Sequence, residues 1–158
     1  MNGLDRSPAA DALTDLILEL FRANNLMLAW GDRLVAPFGL TSARWQILGA
    51  TVFAEKPQPV AWLARDLGAN RQNVQRVVND LHKDGLVAFE PNPRHRRARL
   101  VVLTEKGRRT YEAAIGAYYP RANALAESLP ASDIRAAQRI LAGLRQALEG
   151  EHAADARP

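Results

Sequence analysis

Four arginines, Arg94, Arg96, Arg97 and Arg99, crowd a stretch that opens on Asn92-Pro93 and runs straight into Leu-Val-Val-Leu-Thr. Guanidinium groups at this density have no use in an apolar core and suit a phosphate backbone. A second cluster precedes them. At about 100° per residue, Gln72, Gln75, Arg76 and Asn79 share one helix face, and Val74, Val77, Val78 and Leu81 share the opposite one. Glutamine, asparagine and arginine can make paired hydrogen bonds to base edges in a major groove. The one carboxylate nearby, Asp80, lies on the edge of that face. Arg71 and Asn73, in the first turn of the same helix, complete the candidate DNA-contacting set. Read alone, each cluster also has a plain structural explanation: a solvated basic loop and a solvated helix surface.

Their neighbours decide what the clusters mean. The polar-faced helix is reached from a short helix, about Val60 to Leu67, through Leu67-Gly68-Ala69-Asn70, with Asn70 as a natural N-cap. It reaches Asp84, and Gly85 ends it. Two short runs, Leu86–Glu90 and Arg99–Leu103, have strand character, and the arginine-rich turn joins them into a hairpin. Two short helices followed by a hairpin form a helix-turn-helix with a wing, the polar-faced helix being the recognition helix. A basic wing reaches the adjacent minor groove, where narrowing concentrates negative potential and attracts arginine. Arg97 is assigned that insertion, with Arg94, Arg96 and Arg99 available to phosphates.

Around this unit the chain is helical. Leu13, Leu16, Ile17, Leu20, Met27, Leu28 and Leu34 recur at helical spacing between about Ala9 and Ala36, and Pro37 and Gly39 end the run. Thr41 or Ser42 caps a second helix bearing Trp45, Ile47, Leu48 and Val52, and Lys56-Pro57-Gln58-Pro59 breaks the chain after it. Thr104 caps a long helix from Glu105 into the Ser128 region, which Pro120 is expected to bend. Ser132 caps a last helix with Ile134, Ala137, Ile140, Leu141, Leu144 and Leu148 on one side, closed by Gly150. His152–Pro158 reads as a frayed tail.

Composition fits a single domain, 1–158, that is soluble and cytoplasmic. No apolar run approaches the roughly 20 residues of a membrane span, and Asp5 and Asp11 interrupt any leader-like start. Cysteine is absent, which excludes disulfides, thiolate metal sites and thiol redox sensing. Net charge is +4, but residues 65–109 hold 11 Lys/Arg against 5 Asp/Glu, while the remainder is net acidic. That concentration marks a nucleic-acid-binding segment, although an anionic membrane or an acidic protein would also answer to charge. Enzymatic function has little support: the three histidines, His82, His95 and His152, are far apart, no His-Glu-x-x-His pattern occurs, and no glycine-rich phosphate loop appears. No cofactor or metal is expected. A winged helix that binds RNA or protein is the remaining alternative.

The sequence resembles the multiple-antibiotic-resistance regulator (MarR) family from its first helix to its last. The family's wing signature, Asp-x-Arg-x-x-x-Val-x-Leu-Thr followed closely by Gly, stands here as His95-Arg96-Arg97-Ala98-Arg99-Leu100-Val101-Val102-Leu103-Thr104-Glu105-Lys106-Gly107. Leu81-x-x-x-Gly85-Leu86-Val87 and Leu40-Thr41-x-x-Arg44-Trp45 match as well. His95 departs, standing where the family has an aspartate that helps orient the wing arginine. The resemblance implies a mainly α fold with a small β-hairpin: a winged helix-turn-helix, 41–104, flanked by N- and C-terminal dimerisation helices, 9–36 and 105–149. It further implies a homodimer on double-stranded DNA with a palindromic operator, its half-sites about one turn apart. The protein is then a transcriptional repressor released by a small aromatic or phenolic effector. Trp30, Arg44, Trp45 and Tyr111 are candidate effector-lining residues. The alternative for them is core packing, with Arg44 paired to a neighbouring acid.

Overall fold

Local caps and breakers set most of the element boundaries. In the computed structural model, which describes residues 7–155, α1 spans Pro8–Val35, with Ser7 Oγ accepting from the Ala10 N–H at its start. A single 3-10 turn, Ala36–Phe38, then leads to α2, Ser42–Phe53, which Thr41 caps. Next come β1, Gln58–Pro59, and α3, Val60–Asp66. Helix α4, Arg71–Lys83, is capped by Asn70, whose Oδ1 accepts from the Gln72 and Asn73 N–H groups at 2.8 and 3.3 Å. Strands β2, Val87–Glu90, and β3, Leu100–Leu103, form the hairpin, and α5, Glu105–Ala126, and α6, Ala131–Asp155, follow. Gly68 and Gly85, which turn the chain into and out of α4, both have positive φ, where a side chain would be strained.

The architecture is the expected mainly α winged helix-turn-helix, with differences in detail. The sheet has three strands, in the order β1-β3-β2, because Gln58 and Pro59 pair with Val101 and Leu100 on the outer side of β3. Pro59 is tolerated there because an edge strand need not donate from every residue. Ser132 does not cap the last helix: α6 starts one residue earlier, the Pro130 carbonyl accepts from the Asp133 and Ile134 N–H groups, and the Ser132 hydroxyl bonds the Asp133 carboxylate. Nor does Gly150 end α6, which runs to Asp155. A glycine inside a helix costs only about 1 kcal/mol, and Gly150 does not take the left-handed conformation of a stop. The expected tail from His152 is therefore helical as far as Asp155; its last three positions, like Asp5, lie outside the described residues. Pro120 falls inside α5 and removes one backbone donor there.

The described residues form two compact units that part between Ala117 and Tyr118. In the first, Ile47 and Leu48 of α2, Leu63 of α3, Val78 and Leu81 of α4, Val87 of β2 and Val101 of β3 are almost fully buried together. This core sets α4 and the hairpin on a common base. Most of α1 stays outside it: among its described residues only Gly31 and Val35 are buried, while Leu26 and Met27 are more than half exposed. Helix α6 buries none of its described residues, and Ile140 and Leu148 lie open.

Candidate nucleic-acid interface

Burial of Val74, Val78 and Leu81 turns the opposite face of α4 outward. Arg71, Gln72, Asn73, Arg76 and Asn79 are exposed and Gln75 is half-buried, so the structure brings all six together on one surface. Gln75 Nε2 donates to Asn79 Oδ1 at 3.0 Å, one turn apart. In the free protein these two amides satisfy one another, and each keeps a further donor or acceptor for a base edge.

The wing stands beside this face. A notch of about 200 Å³ lies between α4 and the hairpin, with Arg71 and Gln75 from the helix and Arg97 and Arg99 from the wing in its walls. Arg94, Arg96 and Arg97 are exposed, and among the described residues their side chains make no hydrogen bond or ion pair. Arg99 is already engaged. Its guanidinium donates to the Phe89 carbonyl at 2.7 Å and lies 5.0 Å from the centre of the Phe89 ring. His82, exposed at the end of α4, meets the other side of this brace: its Nδ1 is 3.1 Å from the Val87 carbonyl and its ring packs edge-on to Phe89.

The base of the hairpin is clamped to α5. Thr104 Oγ1 donates toward the Gly85 carbonyl at 2.7 Å and accepts from the Gly107 N–H at 3.0 Å, and the Thr104 N–H donates to the Leu86 carbonyl. A Cβ on Gly107 would stand 1.9 Å from the Leu86 carbonyl oxygen, so only glycine admits this approach. These contacts give the Leu-Thr-x-x-Gly segment its physical meaning. They fix the turn leaving α4 against the start of α5.

The four candidate effector residues do not converge. A cleft of about 1350 Å³ takes Trp45, Gly49, Ala50 and Phe53 from α2, Trp62 and Leu67 from the α3 region, and Tyr111 from α5. Lys56, Arg71, Arg94 and His95 also border it, with Glu55 and Asp66 as the acids. Trp45 and Tyr111 are thus present, and Gly49 leaves room for the Tyr111 ring against α2. Trp30 and Arg44 are not part of this wall. Arg44 instead pairs with Asp84 at the end of α4 and donates to the Gly39 carbonyl at 3.0 Å. A cation in the first turn of α2 faces the C-terminal end of α4, and that carboxylate is its nearest partner. Lys106 Nζ reaches the Asp84 carbonyl at 2.7 Å, so one residue joins α2, α4 and α5.

Phe53, Trp62 and Lys56 in the cleft, and Asn92 in the wing, are not singled out by the sequence pattern. The Asn-Pro dipeptide was the available signal for Asn92. Phe53, four-fifths exposed, gave no signal, because an aromatic at the end of an amphipathic helix reads as core. Among the described residues no group of His, Asp and Glu is placed to hold a metal ion, and no helix is long and apolar enough to cross a membrane.

A polar-faced helix beside a basic hairpin, on a shared core, defines a winged helix-turn-helix protein. The MarR family model matches residues 38–98, which contain that unit. An uncharacterised protein of Mycobacterium tuberculosis is 36% identical over 142 residues, spanning 90% of this chain and 98% of its own. The transcriptional activatory protein BadR of Rhodopseudomonas palustris is 36% identical over 121 residues, 70% of this chain and 69% of BadR. The fold matches the M. tuberculosis regulator MosR in complex with DNA at a TM-score of 0.72 (24% identity; 85% of this chain, 96% of that one). It matches CouR of Rhodococcus jostii bound to p-coumaroyl-CoA at 0.74 (22% identity; 82% and 91%). The chain belongs to the MarR family and is a DNA-binding transcriptional regulator.

Proposed function

We propose that the protein is a cytoplasmic homodimer that reads a palindromic duplex and represses transcription until a small aromatic ligand releases it. The observation that carries the DNA reading is the notch between α4 and the wing, where Arg71 and Gln75 face Arg97 and Arg99 across one small gap. Helix α4 offers Gln72, Asn73, Gln75, Arg76 and Asn79 to a major groove. Arg97 enters the next minor groove, and Arg94 and Arg96 take phosphates. The apolar stripes of α1 and α6, open in the single chain, supply the dimer contact, and two-fold pairing spaces the α4 helices about one DNA turn apart.

The effector reading rests on the cleft. Trp45, Trp62 and Tyr111 offer aromatic faces, and Lys56 and Arg94 offer positive charge to a carboxylate or an acyl conjugate. CouR, of the same fold, is known with an aromatic acyl thioester bound. Selection of bound sequences from random duplexes, followed by anisotropy titration of the winner with and without p-coumarate and p-coumaroyl-CoA, tests both parts. A palindrome bound tightly and released by either ligand is expected. Absence of any duplex preference would overturn the DNA reading in favour of an RNA or protein adaptor. A promoter fusion carrying the selected site decides the sign of regulation, and activation in the absence of ligand, the activity BadR's name describes, would overturn repression.

A further inference from the structure

His95 stands where the family's wing has an orienting aspartate, yet the wing tip is well organised. The bonds converge on Asn92. Its Nδ2 donates to the Ala98 carbonyl at 2.8 Å, closing the loop at its base. Its Oδ1 accepts from the Arg94 N–H at 3.0 Å. Its own carbonyl accepts from the His95 N–H at 3.2 Å, which makes Asn92–His95 a turn with Pro93 in the second position, where proline's fixed φ fits. The Ala98 N–H then donates to the His95 carbonyl at 3.0 Å, forming a second turn whose two central residues are Arg96 and Arg97. His95 serves this arrangement through its backbone, and its side chain makes no hydrogen bond among the described residues.

We propose that Asn92 is the positioning residue of this wing: by tying both turns together it aims the Arg96–Arg97 pair, so that the tip needs no carboxylate at position 95. This inference rests on the DNA reading above. The chemistry explains why an amide is required. A carboxylate could accept from Arg94, but only an amide can also donate to the Ala98 carbonyl. The neutral group also leaves the tip without an acid from Pro91 to Thr104, so no fixed negative charge opposes the phosphates. Asn92 touches no base; it acts through Arg96 and Arg97.

The test uses the full-length protein and its selected operator, with A·T pairs under the wing replaced by G·C in a second duplex. Asn92→Ala is expected to lose about tenfold in affinity, the order of one well-placed contact, and to abolish the preference for A·T under the wing. Preferences in the major-groove half-sites and the unfolding midpoint should remain those of the parent. His95→Ala should bind within about twofold of the parent, since its side chain holds nothing. The inference is overturned if Asn92→Ala keeps its A·T preference, if all base preferences fall together with stability, or if His95→Ala carries the loss instead. Should the parent itself show no duplex preference, the DNA reading fails, an outcome distinct from failure at Asn92.

Discussion

Replacing Arg97 by glutamine should change the salt dependence of operator binding by an amount the structure sets. Five arginines on the candidate interface, Arg71, Arg76, Arg94, Arg96 and Arg97, make no side-chain hydrogen bond or ion pair among the described residues. Each brings one positive charge to the duplex and can displace one condensed cation, whether it lies on a phosphate or in a groove. In the proposed two-fold dimer that gives at most about ten contacts and a limiting slope of log K against log salt of about −9, at about −0.9 per contact. Between about 50 and 200 mM salt such a slope weakens binding by roughly 10⁵-fold. Arg97→Gln removes one contact per protomer, so the slope should become shallower by about 1.8, with a loss of about 1–3 kcal/mol per protomer on the operator. Arg99→Gln should flatten the slope far less, because the Phe89 carbonyl and ring already hold that guanidinium. Anisotropy titrations of a labelled operator across a salt series give both slopes. If the two substitutions flatten the slope equally, or Arg97→Gln leaves it unchanged within about 0.5, the division of the wing into a free tip and a braced base is wrong.

Gly107→Ala should destabilise the protein by about 2–4 kcal/mol in denaturant titrations at fixed protein concentration, since a Cβ 1.9 Å from the Leu86 oxygen forces the Thr104 clamp open; a loss under about 1 kcal/mol would show that the clamp yields easily. Leu26→Glu and Ile140→Glu alter exposed positions, so each should leave the helical signal intact and, on the proposed dimer contact, give monomers in sedimentation equilibrium where the parent gives dimers; unchanged mass would remove these faces from that proposed contact. A double-mutant cycle on Arg44 and Asp84 should give a coupling of about 0.5–1 kcal/mol, because the Asp84 side chain is 48% exposed, and a value near zero would demote the pair to a surface contact.

The fold was largely legible because its punctuation is local. Thr41 and Asn70 begin helices by accepting from N–H groups two and three residues on, and Gly85 ends one by its positive φ. What escaped depends on partners distant in sequence. Strand β1 is two residues long, one of them proline, and exists only because β3 lies beside it. The candidate interface divides in the same way. The amide-and-arginine face of α4 follows from helical periodicity alone. The fate of Arg44 follows from Asp84, 40 residues away, and no pattern around Leu-Thr-x-x-Arg-Trp distinguishes a ligand cation from a structural one. Trp45, the next residue, faces the cleft while Arg44 grips the end of α4; adjacent residues on a helix point about 100° apart.

That adjacency bears on how occupancy of the cleft could reach the DNA-facing surface. Helix α2 forms one wall of the cleft and, through Arg44 and Asp84, holds the end of α4. At its start, the Ser42 N–H donates to Asp32 and the Ser42 hydroxyl donates to the Leu28 carbonyl at 2.9 Å, so α2 is tied to α1 as well. Gly31 makes the second tie possible, because a Cβ there would stand 2.5 Å from the Ser42 hydroxyl. A ligand that displaced α2 could not do so without moving α4 or breaking the pair with Asp84. The alternative needs no motion, since Arg71 and Arg94 border the cleft and also belong to the proposed DNA-contacting set, and an anionic ligand held there would compete with phosphates directly. Asp84→Asn separates the two. It cuts the charge link from α2 to α4 and leaves both arginines in place, so it should blunt release that travels through α2 and leave direct competition intact.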